Sequence, residues 1–417
     1  MPLEKTHIVL HTSDWHLGRT LYSKKQRYDE HEKFLNWLIN VVKEKLVDTL
    51  IIAGDIFDTT TPSSRAQGLY YGFLIRIKST NCRHVIVIAG NHDSPSLIDA
   101  PKELLAALNV LVVGNMPENL ENEVFVLKDE QGNPEYIIGA VPYLRERDLR
   151  ISVEGESMVD KEHKIVEGIR LHYEQIAQIA ETKRVALKVQ IPLIVTGHLF
   201  AVGGQTNGDD GVRDIYVGNL GGVSAATFPE LFDYVALGHL HFPQKVNQQE
   251  HIRYSGAPLP MGFGECKQQK QVNIITFENR KPTVEVVKIP LFQKIESIEG
   301  DKIAILKALD QLGKSNTSVW VEVRYVGEEI WGNMTAEISE IIENYPLVEL
   351  IRYKNQKLFN ATLTEQNENE FLEELDVNEV FQRCLDTYSI PEEQQNEFLL
   401  TYREIINQMN ENDHLGT

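Results

Sequence analysis

The sequence predicts an α/β fold: two sheets packed face to face with helices outside, a four-layer α/β/β/α sandwich, followed by a small α+β module and a helical tail. Three observations predict it. Short runs of β-formers (IVLHTS, DTLIIAG, HVIVIAG, PLIVTG, YVALG) recur from His7 to Gly238. Segments with apolar residues at helical spacing lie between several of them. Nearly every run ends in a polar motif: SDWH, AGDIFD, GNHD, TGH or GHLH. In open α/β sheets the carboxyl ends of strands are where ligands bind.

The first strand is read at His7–Ser13. Arg27–Lys45 follows as a helix, because Phe34, Leu35, Leu38, Val41 and Val42 fall on one face. A strand at Asp48–Ala53 leads to a helix at Ser63–Ile77, with Pro62 before it and Ser63 as its cap. Arg83–Ala89 is the next strand and Pro101–Leu108 a short helix. Val124–Val141 reads as short strands around a turn at Asp129–Pro134, where Gln-Gly-Asn-Pro is turn chemistry. Glu162–Thr182 is a long amphipathic helix. Strand–loop units ending at His198 and His239 come next, then strands from His251 to Val287.

Past Pro290 the order is helix Asp301–Leu312, strand Ser318–Tyr325, helix Thr335–Glu343 and strand Val348–Tyr353, a small α+β module. A polar linker leads to two helices, Asn378–Thr387 and Glu392–Met409, broken at Pro391. The second carries Phe398, Leu399, Tyr402, Ile405, Ile406 and Met409 as an apolar stripe. Such a stripe suits folding back on its own domain or lying in a partner's groove. The expected boundaries are 1–288, 289–358, 359–370 and 371–417.

A chain of 417 residues with 42% hydrophobic residues can build two or three domains around a large core. No apolar run approaches the roughly 18 residues that cross a bilayer. The start, MPLEKTHIVLHTSD, lacks a basic region followed by an apolar stretch and a cleavage site, so a cytoplasmic location is expected. Cys82, Cys266 and Cys384 form neither a CxxC pattern nor a disulfide framework. The net charge of −20 argues against a generally basic nucleic-acid-binding surface. From Ala361 to Thr417, however, fourteen Asp and Glu face two Arg, a balance of −12 that leaves −8 for the rest. The charge therefore neither shows nor excludes a nucleic-acid substrate. The Gly-rich stretch Gly203–Gly222 lacks GxxxxGK[ST], so any ATP would be bound by another polypeptide.

Seven metal-capable residues occupy the polar motifs: Asp14, His16, Asp55, Asn91, His198, His239 and His241. His92, beside Asn91, is suited to proton transfer. Mixed Asp, His and Asn sets fit manganese, iron and zinc better than calcium or magnesium, which favour all-oxygen shells. Asp14 and His16 are two apart where the chain leaves a sheet, and His239 and His241 repeat that geometry. Asp55 has two oxygens with which to bridge two ions. One D-x-H or H-x-H is weak; five motifs, each after a strand, make a candidate two-metal site. His7, His11, His31, His84, His163, His172, His251 and His414 lack such companions and are expected at the surface or in packing, with His11 facing the sheet interior.

The series D-x-H, G-D, G-N-H-D, H, G-H-x-H resembles that of the calcineurin-like metallophosphoesterases, over residues 7 to about 260. HTSDWHLGRTL, AGDIFDTTTPSS, IAGNHDSP, TGHLFAVGG, FDYVALGHLH and IRYSGAPLPMGFGE resemble the bacterial SbcD nuclease subunits within them. The resemblance implies a metallophosphoesterase sandwich, a capping domain and helical partner-binding tail, and two Mn²⁺, with Mg²⁺ or another divalent ion as substitutes. It implies a DNA nuclease, a double-strand 3′–5′ exonuclease and single-strand or hairpin endonuclease of repair and recombination near the nucleoid. The implied partner is an SbcC-like coiled-coil ATPase, bound through the C-terminal helices, with a homodimer inside a heterotetramer.

By motif, one ion would take Asp14, His16, Asp55 and His241, and the other Asp55, Asn91, His198 and His239. His92 would be the catalytic acid. Archaeal relatives carry a histidine where this chain has Asp58, which puts that auxiliary role in doubt and leaves Asp58 to orient His92. Lys24, Lys25 and Arg27 are candidates for phosphate contacts, or simply a solvated loop. Protein phosphatases of this superfamily carry arginine in GDxVDRG, where GDIFDTT has Thr59 and Thr60. The alternatives are an esterase for nucleotides or another phosphodiester, or a mainly DNA-bridging subunit. A scaffold without metals is disfavoured by the complete ligand set.

Overall fold

The computed structural model describes residues 7–150, 157–201, 223–327 and 331–355. The chain divides into two compact units, 1–296 and 297–417. In the first, two six-stranded sheets form the centre. One is ordered Lys281–Lys288, Gln271–Glu278, His7–Thr12, Thr49–Ala53, His84–Ile88, Val110–Val113. The other is ordered Gln244–Lys245, Ile252–Tyr254, Tyr234–Gly238, Leu193–His198, Pro134–Gly139, Val124–Lys128. The four strands from His7 to Val113 pair in parallel, and so do the middle four of the second sheet. Antiparallel strands finish the edges.

Period-two alternation builds the layers. Val9, Ile51, Ile86, Ile88, Ile138, Ile194 and Ala236 point into one core shared by both sheets. Their neighbours Leu10, Ile52, Val85 and Val87 face the other way, onto Phe34, Leu38, Phe73 and Leu74 of helices Tyr28–Glu44 and Ser64–Ile77. Ile137, Val195 and Val235 do the same for the second sheet, against Ile165, Ile169, Tyr173 and Ile176 of the 30-residue helix Met158–Leu187. The strands read as continuous apolar runs because both faces are covered. Helix outside, two sheets inside and helix outside is the four-layer sandwich.

Local chemistry sets the ends. Ser63 caps its helix by accepting from the amide of Ala66 at 3.2 Å. Asp129 Oδ1 accepts from the amides of Gln131 and Asn133 at 2.9 and 2.8 Å, which closes the hairpin turn. The two-residue strands Thr20–Leu21, Lys25–Gln26 and Gln244–Lys245 were not anticipated, nor were two longer ones. Val110–Val113 is four residues long and directly follows a short helix. Lys294–Gly300 is half polar, and it starts the second unit's sheet.

That sheet runs Lys294–Gly300, Val319–Tyr325, Val348–Asn355. Helices Lys302–Lys314 and Met334–Glu343 bury Ile305, Leu309 and Ile338 against Val319, Val321 and Val323. The expected linker at 359–370 and the helices Asn378–Thr387 and Glu392–Met409 lie outside the described residues, as does Gly203–Gly222. Among the described residues no helix is long and apolar enough to cross a membrane.

Candidate metal centre

Five parallel strands end at one edge of the two-sheet core, and their extensions carry all seven metal-capable residues. Asp14 and His16 follow His7–Thr12, Asp55 follows Thr49–Ala53, and Asn91 follows His84–Ile88. His198 ends Leu193–His198, and His239 and His241 follow Tyr234–Gly238. The turns that aim them are sharp. Asp14, His16, Asp55 and His239 have φ of 54, 46, 50 and 99°, left-handed values that cost of order 1–3 kcal/mol each and persist where the surroundings over-determine them. Gly54, at φ 87°, leaves room for the His198 ring, which a Cβ there would overlap.

The side chains meet in two groups joined by one carboxylate. His16 Nε2 and His241 Nε2 stand 3.2 Å apart. Asn91 Oδ1 lies 3.0 Å from His198 Nε2 and 3.3 Å from His239 Nδ1. Asp55 Oδ2 is 3.6 Å from His16 Nε2 and 3.3 Å from His198 Nε2, so one oxygen stands between the groups. Asp14 supplies a carboxylate to the cluster that includes His16 and His241. It is oriented by the hydroxyl of Ser13 and, through Oδ1, by the amide of His239 at 2.9 Å. Asp14, His16, Asp55, His198, His239 and His241 are all buried.

The donor set fits divalent cations. His198 Nδ1 lies 3.0 Å from the carbonyl of Ala53, which can only accept, so Nδ1 carries the proton. In the neutral ring Nε2 is then a lone pair facing two oxygens, an arrangement that a bound divalent cation satisfies. Without a metal the ring takes a second proton: burial lowers the pKa of His198, but Asp55 and Asp14 override it and raise it to about 9. Burial lowers that of His16 to about 4 and that of His239 well below the usual value, which keeps those rings neutral and able to ligate. Asp55 is held ionised against its burial by His198 and His16. Residues that hold buried charge in common are the usual mark of a metal or catalytic site.

Comparison with known proteins agrees. Residues 7–243 match the calcineurin-like phosphoesterase family, and residues 291–388 match a domain described as the type 5 capsule protein repressor C-terminal domain. The D subunit of the nuclease SbcCD from Escherichia coli K12 is 36% identical over 393 residues, 93% of this chain and 94% of its own. The chain belongs to the SbcD family of calcineurin-like phosphoesterases. The Bacillus subtilis protein of the same name is 31% identical over 316 residues, 75% of each chain. A solved dimetal phosphatase from Danio rerio aligns over 68% of this chain and 99% of its own, with a TM-score of 0.38 and 11% identity.

In this SbcD-family chain the His92 ring stands 4.7 Å from the His16 ring, edge to face. The amide of His92 donates to Asp55 Oδ1 at 2.8 Å, and its Nδ1 donates to the carbonyl of Asp58 at 2.8 Å. It is therefore the main chain of Asp58 that orients His92. The Asp58 carboxylate goes elsewhere, 3.2 Å from His16 Nδ1 and 3.0 Å from Arg19. Arg27 is also not where a phosphate contact needs it. It is 1% exposed, with both Nε and Nη2 on Glu30. Lys24 is exposed and Lys25 partly so.

His11 lies in the interior as expected, bonded to the Tyr234 hydroxyl at 3.0 Å and the Leu237 carbonyl at 3.2 Å. His31 is buried too.

Two carboxylates went unrecognised in the sequence. Asp93 accepts from the amides of Gly90, Ile56 and Phe57 at 2.9, 3.1 and 2.9 Å, so it ties the GNHD turn to the AGDIFD turn. Burial raises its pKa to about 7. Glu265 Oε1 lies 3.7 Å from His241 Nδ1, while Glu265 Oε2 pairs with buried Lys270. Burial works against its charge, but Lys270 and His241 lower its pKa to about 2. The signal for Asp93 was its place beside His92. Glu265, in GFGE, follows no strand and belongs to no ligand pattern.

Proposed function

We propose that this chain is the two-metal nuclease component of an SbcCD-like complex, hydrolysing DNA phosphodiester bonds with manganese as the preferred ion. Asp14, His16, Asp55 and His241 would hold one ion, and Asp55, Asn91, His198 and His239 the other. The observation that carries the reading is Asp55 Oδ2, within 3.6 Å of the histidines of both groups. Bound there, two divalent ions supply Lewis-acid charge to the phosphoryl oxygens and a water of lowered pKa.

The rest falls to the protein's own groups. His92, held through Nδ1 on the Asp58 carbonyl, keeps Nε2 for a proton and delivers it to the leaving oxygen, a role worth typically 10²–10⁴-fold. Ala53, Ser13 and Asp93 hold His198, Asp14 and the two central turns, so the ligands are set before substrate arrives. Thr59 and Thr60 stand where phosphatases carry arginine, so the phosphate-monoester clamp of that position is missing.

The 36% identical relative is named as part of a nuclease. By that likeness we assign DNA as substrate, with double-strand 3′–5′ exonuclease and single-strand or hairpin endonuclease activity. An SbcC-like ATPase would be the partner, met through residues 371–417, with a homodimer inside a heterotetramer working in the cytoplasm at the nucleoid. Residues 289–358 would be the capping domain. The test is purified protein with linear duplex and hairpin DNA, in Mn²⁺ or EDTA, alone and with the ATPase. Cleavage that needs Mn²⁺ and is lost in His92→Ala supports the reading. Equal behaviour of wild type and His92→Ala under every condition overturns it.

A further inference from the structure

Behind the two rings whose Nε2 atoms stand 3.2 Å apart lie two carboxylates that are not among the seven ligands. Asp58 Oδ1 is 3.2 Å from His16 Nδ1 and Glu265 Oε1 is 3.7 Å from His241 Nδ1. Each carboxylate is anchored by a cation, at the same oxygen in Asp58 and at the other oxygen in Glu265. Arg19 holds Asp58 at 3.0 Å, and Lys270 pairs with Glu265 Oε2. Glu265 Oε2 also accepts from the amide of Met261 at 3.0 Å, and Lys270 donates to the carbonyl of His241 itself at 3.1 Å. The carboxylate and the ligand's own backbone thus share one ammonium group. Glu265 Oε1 is buried with no hydrogen-bond partner among the described residues, and the group it faces is His241 Nδ1.

Among the described residues the other pair of rings has no such carboxylate behind it. His198 Nδ1 donates to the neutral carbonyl of Ala53, and His239 meets its group through Nδ1, 3.3 Å from Asn91 Oδ1, with no carboxylate at its other nitrogen among the described residues. A carboxylate only accepts, so it keeps the proton on Nδ1 and the lone pair on Nε2, and it makes that Nε2 a stronger donor to a metal. We infer that Asp58 and Glu265 are positioning residues that fix the tautomers of His16 and His241 and strengthen the ion site these histidines share over its neighbour. The inference rests on the two-ion reading above, and it makes the two sites unequal.

Mn²⁺ binding to the full chain, measured by titration calorimetry, tests it. Wild type should bind two ions with distinct affinities. Asp58→Asn and Glu265→Gln, which keep shape and remove charge, should each weaken the tighter class by about 10–100-fold and leave the weaker class as it was. Glu265→Asp should restore part of the loss. Unchanged binding in both variants, or equal weakening of both classes, overturns the inference while the two-ion reading stands. A wild type that binds fewer than two ions overturns that reading and this inference together. Glu265→Gln strands buried Lys270 and can unfold the chain; Asp58, at 22% exposure, then carries the test alone.

Discussion

At the carboxyl edge of the first unit, buried polar side chains crowd together, and four of them sit on left-handed backbone. In residues 297–355 the pattern reverses. Glu322 is the one buried charged side chain among the described residues there, and it is met by Ser297 at 3.0 Å and Arg352 at 3.5 Å. The left-handed non-glycine residue of that region is Asn316, in the turn after a helix, where asparagine is at home. Both units bury alternating strands under amphipathic helices. The difference is that the first gathers left-handed backbone and buried ionisable groups at one edge, which folding alone does not require. That contrast marks where chemistry is done and which residues stability depends on.

The contrast can be broken from either side. The largest effect should come from stripping metals: EDTA should abolish DNA hydrolysis, and Mn²⁺ should restore it without refolding, read in a cleavage assay beside circular dichroism. Asp55→Ala removes the carboxylate between the two groups, so calorimetry should find both ion sites weakened. His92→Ala should keep both ions and lose about 10²–10⁴-fold in the rate of the chemical step. On the other side, Ile338→Ala empties a fully buried position in the second unit and should cost about 2–5 kcal/mol in its unfolding, with Mn²⁺ affinity unchanged. Ser63→Ala removes a helix cap far in role from the site and should cost only about 1 kcal/mol. A change in Mn²⁺ affinity from Ile338→Ala would erase the distinction between the regions.

Much of this was legible in the sequence because strands covered on both faces spell themselves as apolar runs, and each run here stops at a polar motif. That exposed the strands before Asp14, Asp55, Asn91, His198 and His239, and hence the candidate ligand set that the structure brings together. Helix Ser64–Ile77 was legible to within a residue because Pro62 and Ser63 announce it. Val110–Val113 escaped for want of length, and Lys294–Gly300 because its glutamates hide its alternation. Glu265, and the partner of Asp58, were hidden for a different reason. The partners of Asp58 and Glu265 lie 42 and 24 residues away in the chain, His16 and His241, and no periodicity records a contact between a loop and a strand end. The buried position of Arg27 was invisible likewise, since its partner Glu30 reads as an ordinary helix-face charge.

The central claim is that two cations share Asp55. Crystals grown with Mn²⁺ and measured at the manganese absorption edge would test it most directly. The account predicts two anomalous peaks, one among Asp14, His16, Asp55 and His241 and the other among Asp55, Asn91, His198 and His239. A single peak, or peaks that leave Asp55 out of contact with either ion, would contradict it.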